Sequence, residues 1–231
     1  MARMLYDLAG AEPERRFSPY CWRIRLALAH KGLDVETVPW RFAEKAAIAF
    51  SGQGLVPVLV DGETVVSDSW RIATYLEEAY PDRPSLFGGP AGMALTRFVA
   101  NWADAVVNAG LARLIVSDIP AHLDPGDLDY FVSSREKRFG MKLDAVTAGR
   151  EERVAEFRQA LHPLRMTLRT QPYIGGEAPD YADYAVFGGF QWARCVSRFP
   201  VLEADDPVAA WRGRLLDAFG GLARRAPGYD G

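Results

Sequence analysis

The sequence predicts an α/β domain followed by an all-helical domain, and three observations carry that expectation. The first 83 residues alternate strand and helix patterns in the order β, α, β, short α, β, β, α. Residues 84 to 92 hold two prolines and three glycines, the composition of a linker between domains. Beyond them the apolar residues recur at helical spacing, with no convincing alternating strand. The 231 residues thus divide into a first domain at 1–83, a linker at 84–92 and a helical domain at 93–231.

Met4–Leu8 is a short apolar run that ends in a polar, proline-containing stretch, so it reads as a buried strand and a loop. Ser18-Pro19 then starts a helix, because a serine oxygen caps orphan N–H groups and proline fits the first helical position. Trp22, Leu26 and Ala29 continue it and Gly32 caps it. Residues 34 to 38 alternate as a second strand, parallel to the first by virtue of the helical crossover. Residues 43 to 50 suggest a short helix. Residues 55 to 60 and 64 to 66 form a hairpin about Asp61-Gly62, and Trp70, Ile72, Ala73, Leu76 and Tyr80 return to helical spacing.

Four amphipathic stretches follow, at 91–117, about 140–170, 181–198 and 208–225, while 118–135 is ambiguous and compatible with an extended loop. Asp180 and Asp183 flank the start of the third stretch in a pattern close to a capping box, which assigns them to folding rather than reaction.

The composition narrows the function. A net charge of −3 supplies no broad positive field for phosphate backbones or anionic lipid, so neither nucleic acid nor a membrane surface is the expected partner. No uninterrupted apolar run has the length that spans a bilayer, and no signal-peptide core opens the chain, so a cytosolic location is expected. Cys21 and Cys195 are the two cysteines, and His30, His122 and His162 are scattered, which predicts reduced thiols and no metal site.

The chemistry concentrates at Ser18-Pro19-Tyr20-Cys21, which has the shape of a C-x-x-C redox motif with serine in first place. In a dithiol motif the first residue sits where the helix N-terminus stabilises an anionic sulfur. A serine there has no thiol, but its hydroxyl can donate to a thiolate brought in by a ligand. It is equally placed to be a helix cap. Downstream, Val56-Pro57 opens a strand, where proline marks an edge, a break or a cis bond, and Ser67-Asp68-Ser69 lies between a strand and a helix, where it supplies a cap and a carboxylate.

Ser18, Val56-Pro57 and Asp68-Ser69, in that order, make the chain resemble the cytosolic glutathione transferases over almost its whole length. Ser18-Pro19-Tyr20, Trp22-Arg23, His30-Lys31-Gly32 and Asp68-Ser69-Trp70 look most like the serine-type branch that contains bacterial lignin β-etherases and a related fungal class. The resemblance implies a thioredoxin-like first domain, a helical bundle contributing a hydrophobic substrate site, glutathione as co-substrate without a metal, and a homodimer. It implies that Ser18 activates the glutathione thiol and that Val56 pairs with the cysteinyl backbone beside Pro57. By the same resemblance Asp68 and Ser69 hold the γ-glutamyl end; Trp40 is a candidate to wall the pocket, with core packing its alternative, and Lys45 and Gln53 are candidates to approach the glycyl carboxylate, with a solvated surface role the alternative.

Tyr6 and Cys21 are alternative thiolate partners. Phe98, Trp102, Phe187 and Trp192 are candidates to line the site of a hydrophobic electrophile. The expected activity is glutathione transfer to that electrophile. A glutathione-dependent β-aryl etherase and a non-catalytic glutathione-binding module are the alternatives, and a glutaredoxin-like reductase lacks its first thiol.

Overall fold

Met4–Leu8 forms β1, and Pro19–His30 forms the helix α1 that carries the chain to the parallel strand β2 at Glu36–Trp40. The structure is a computed structural model and describes residues 3–229, so the outermost two residues of each predicted domain lie outside it. A 3-10 helix at Lys45–Ser51 leads to the antiparallel hairpin β3, Val58–Asp61, and β4, Thr64–Ser67. The helix α2, Ser69–Ala79, completes a four-stranded sheet layer of order β2-β1-β3-β4. This is the expected thioredoxin-like arrangement, with its second helix wound as 3-10.

Two local details differ from the expectation. β2 begins and ends two residues later than 34–38, and it contains Pro39. Because β2 is an edge strand, a residue without an N–H is tolerated there. In the hairpin, Asp61 pairs with Thr64, so the turn residues are Gly62 and Glu63 rather than Asp61 and Gly62. Gly62 takes a φ of 63°, which glycine adopts without a Cβ clash.

The remainder is helical. α3, Pro90–Trp102, runs through a π-helical segment at Ala103–Asn108 into α4, Ala109–Ile115, and a 3-10 helix at Val116–His122. By length and composition this continuous run could cross a membrane, with a window of mean hydropathy 1.2, but Ala103, Val107, Leu111 and Ile115 are buried in the protein's core. The ambiguous segment 118–135 is not an extended loop: most of it joins α5, Pro125–Phe139. Asp124 accepts the Gly126 N–H at 3.0 Å and Pro125 takes the first helical position, so Asp124-Pro125-Gly126 is a helix start. The stretch at 140–170 is three helices, α6 at Leu143–Thr147, α7 at Arg150–Ala160 and α8 at His162–Leu168, interrupted at Gly149 with φ 67° and at Leu161.

α9, Tyr181–Val196, is the central helix of this half and is buried on nearly every side. Asp180 and Asp183 form the complete capping box at its start. α10, Pro207–Gly221, leaves helical geometry at Ala218. The most extensive helix–helix packing joins α1 to α9, so one apolar core runs from the sheet into the bundle. That packing depends on Gly188, where a Cβ would lie 2.3 Å from the Pro19 carbonyl oxygen.

Candidate active site

Ser18 caps α1 with its own side chain. Its Oγ accepts the Cys21 N–H at 3.3 Å, while Pro19 at the first helical position has no N–H to satisfy. The hydroxyl proton is not consumed by this cap, because the oxygen acts in it as acceptor. Ser18 is only 5% exposed, yet it lines a cavity of about 770 Å³ that opens between the sheet layer and the helical half. Pro19 and Tyr20 line the same cavity, so the N-terminus of α1 faces it directly.

Val56, Pro57, Asp68, Ser69, Gln53 and Trp40 all border this cavity. The Val56-Pro57 peptide is cis. Asp68 takes a φ of 77°, uncommon for a residue with a Cβ, while its carboxylate caps α2 by accepting the Trp70 and Arg71 N–H groups at 3.0 and 3.1 Å. Ser69 is buried, and its carbonyl accepts the Tyr181 hydroxyl at 2.9 Å, which ties the start of α2 to α9. Trp40 is both wall and core: it is buried and donates its indole N–H to the Glu44 carbonyl at 2.8 Å.

Other sequence candidates stand elsewhere. Lys45 is not among the lining residues, and its ammonium lies over the Tyr130 ring at 4.6 Å from the centroid. Tyr6 packs its ring at a tilt against Phe50, with centroids 5.5 Å apart, and does not border the cavity. Cys21 is buried, and its thiol is pushed well above the ordinary value, first by burial and then by the neighbouring Asp7 charge, against an opposing hydrogen bond with Ser18. It is therefore a protonated core thiol. Of the four aromatic candidates, Trp192 alone borders the cavity: Phe98 is 73% exposed, Trp102 packs against the core, and Phe187 is buried beside Trp211.

Comparisons with known proteins identify the family and the fold. A family model described as the glutathione S-transferase C-terminal domain matches residues 94–219, and one for the N-terminal domain matches residues 13–84. The chain belongs to the glutathione S-transferase family. A zeta-class glutathione S-transferase of Euphorbia esula is 46% identical over 70 residues, which cover 28% of this chain and 31% of that protein. Glutathione S-transferase U28 of Arabidopsis thaliana is 26% identical over 208 residues, covering 87% of this chain and 81% of its own. The crystal structure of a glutathione S-transferase of Ceriporiopsis subvermispora in complex with glutathione superposes with a TM-score of 0.84 at 23% identity, covering 95% of this chain and 96% of that one.

The cavity is also bordered by Asp104 and Asn108, which the sequence did not single out. Arg23, on the face of α1 behind Tyr20, pairs with Asp104 at 2.5 Å, and Asp104 accepts the Asn108 amide at 3.1 Å. The Arg23 guanidinium lies 4.8 Å from the Tyr20 ring centroid, and the Tyr20 phenol is raised, first by burial and then by the Asp104 charge. Asp104 and Asn108 border the cavity from the π-helical segment. Their spacing of four gave the only signal, a polar pair on one face of an otherwise apolar helix. Among the described residues no group of three or more histidine, cysteine or acidic side chains is placed to hold a metal.

Proposed function

We propose that this chain transfers the thiol of glutathione to a hydrophobic electrophile and that Ser18 activates the sulfur. The observation that carries the reading is the place of Ser18: its oxygen is held by the Cys21 N–H at the cavity edge, and its hydroxyl proton, which otherwise faces the protonated Cys21 thiol, is drawn to an incoming thiolate as the stronger acceptor. Pro19 has no N–H and the Cys21 and Trp22 N–H groups are turned to Ser18, so the Tyr20 N–H and the helix dipole add to that stabilisation. Lowering a thiol pKa from about 8.5 to about 6.5 represents about 2.7 kcal/mol, within reach of one charge-assisted hydrogen bond and a helix terminus.

The kinetic gain from ionisation alone is small. Thiolate at neutral pH rises about 25-fold while a Brønsted slope near 0.45 removes about 8-fold of nucleophilicity, so about threefold remains. Most of the acceleration must come from holding the sulfur against its target. In this reading Val56 pairs with the cysteinyl backbone, Asp68 and Ser69 hold the γ-glutamyl group, and Gln53 and Trp40 border the peptide. The reaction forms a carbon–sulfur bond, expels a leaving group from the electrophile, and makes no covalent bond to the protein. Cytosolic residence and a homodimer complete the proposal, both supported by the family's character.

Ser18→Ala tests the assignment. Glutathione affinity, read by quenching of tryptophan fluorescence, is expected to stay within threefold, while kcat/KM for transfer to 1-chloro-2,4-dinitrobenzene falls at least tenfold. The thiolate absorbance of bound glutathione near 240 nm should titrate at higher pH in the variant. Undiminished turnover rejects Ser18 as the activating group, and absent glutathione binding by the unmodified protein rejects the function.

A further inference from the structure

Charge is unevenly spread around the cavity. Its carboxylates, Asp68 and Asp104, are both engaged, one capping α2 and the other paired with Arg23 and Asn108. The other charged lining residues are Arg113 on α4 and Arg135 and Arg138, one turn apart on α5. Among the described residues none of these three has a carboxylate within ion-pair distance. A chain of net charge −3 thus places three uncompensated guanidinium groups on one cavity.

Arg135 is the most constrained of them. It is half-buried, lies 4.9 Å from the Phe131 ring centroid and 5.5 Å from that of Phe42, and donates one N–H to Ser134 Oγ at 2.9 Å. Two aromatic contacts and a hydrogen bond hold the guanidinium in place and leave most of its five donors unspent. Burial, followed by repulsion from Arg138, lowers its pKa from the usual arginine value. A stacked, pre-oriented guanidinium beside a second one is the arrangement that binds a planar carboxylate with two parallel hydrogen bonds.

We propose that Arg135 and Arg138, with Arg113, form an anion-binding subsite, so that the electrophile carries a carboxylate or comparable anionic group on an aromatic frame. The inference rests on the thiol-transfer reading and names its substrate class. Phe42, Phe131, Phe139 and Trp192 supply apolar surface for the frame within the same cavity. The reactive carbon then lies toward Ser18. The glycyl carboxylate of glutathione has the same chemistry as the anion proposed here, and the test separates the two sources.

Transfer is measured with 4-chloro-3,5-dinitrobenzoate and with its methyl ester, each corrected for its uncatalysed rate. In both, glutathione thiolate attacks the ring carbon, a carbon–sulfur bond forms, and chloride leaves with the electron pair. The unmodified protein is expected to favour the carboxylate at least tenfold in kcat/KM. In the Arg135→Gln, Arg138→Gln double variant that preference should fall to within twofold, while Arg135→Lys retains part of it and glutathione affinity shifts less than threefold. Equal use of the two probes by the unmodified protein overturns the inference. So does an intact preference in the double variant together with a tenfold loss of glutathione affinity, which would assign the arginines to glutathione. Calorimetry with 3,5-dinitrobenzoate makes the outcome independent of turnover. Saturable binding lost in the double variant sustains the subsite even where neither chloride is turned over, and absence of binding overturns it. A circular-dichroism melt of each variant confirms that it is folded.

Discussion

Gly188→Ala is the perturbation most directly written into this fold. The added Cβ would stand 2.3 Å from the Pro19 carbonyl oxygen and 3.1 Å from its carbon, both backbone atoms at the N-terminus of α1. Nonbonded carbon and oxygen need over 3 Å, so α1 and α9 must separate by about 1 Å. Overpacking of this kind costs about 3 kcal/mol, and alanine's better helix propensity returns about 1, which leaves a net loss of about 2 kcal/mol. For a chain of this size that lowers the melting temperature by about 4–8 °C. Ser18 precedes the displaced residue, and a misplacement of about 1 Å at a reacting centre can cost about 100-fold in rate.

Gly213→Ala in α10 is the control, because its Cβ would meet nothing within 4 Å. It should raise stability by up to about 1 kcal/mol and leave turnover unchanged. Thermal melts followed by circular dichroism, with kcat/KM for 1-chloro-2,4-dinitrobenzene, read both effects. If Gly188→Ala behaves like Gly213→Ala, the close approach of α1 to α9 does not set the position of Ser18.

Three further outcomes follow from named contacts. Burial, and then the Asp183 charge, raises the Asp180 carboxyl from 3.8 to about 6, so the folded chain keeps a proton that the unfolded chain has lost; this stabilisation is present below pH 3.8 and disappears as pH rises to about 6. Asp180→Asn keeps an oxygen for the Ala182 N–H, which Asp180 now accepts at 2.8 Å, and should flatten the fall in melting temperature between pH 4 and pH 7; an unchanged slope assigns that dependence to other groups. Tyr181→Phe removes the buried hydroxyl that Ser69 accepts, and is expected to cost about 1 kcal/mol in urea unfolding and to weaken glutathione binding severalfold; unaltered affinity would separate α9 from the α2 end of the site. Burial raises both thiols, that of Cys195 to about 12, so the native protein should show no fast reaction with a disulfide reagent at pH 8 and two reactive thiols after denaturation; a fast native thiol contradicts the core assignment of Cys21.

The features legible in the sequence were those with a local signature. Ser18-Pro19 announces a cap and a first helical position within two residues, and both are where that signal places them. Asp180 and Asp183 likewise show their box by spacing alone. Pro39 and Asp124-Pro125-Gly126 fall where the expected bounds failed, at the end of β2 and within 118–135: proline can end a central strand or make a turn, but it also suits an edge strand and a helix start, and tertiary context decides between these roles. Arg113 and Arg135 were invisible as partners, since only long-range packing of α4 and α5 brings surface-type residues to one cavity. Gly188 and Pro19 meet across 169 positions, and nothing at either end marks the contact.

Two of the interactions that join α1 to the helical half differ in kind, and their magnitudes show which of the two sets the reacting geometry. The Arg23–Asp104 pair is short at 2.5 Å, but the Asp104 side chain is 40% exposed, so solvent screening limits its contribution to about 1 kcal/mol. The α1–α9 seam instead belongs to a core in which Trp22, Ile24, Leu26, Tyr184 and Phe187 are buried, and each large apolar side chain so placed contributes about 1.5–3 kcal/mol. The seam therefore fixes where the N-terminus of α1 stands, and the ion pair chiefly fixes how Arg23 and Tyr20 are turned beside it. Ser18 caps that N-terminus, so the position of its hydroxyl follows the apolar packing more closely than the surface charge. Raised salt, which weakens the ion pair, should disturb activation of the sulfur less than a single methyl group placed at Gly188.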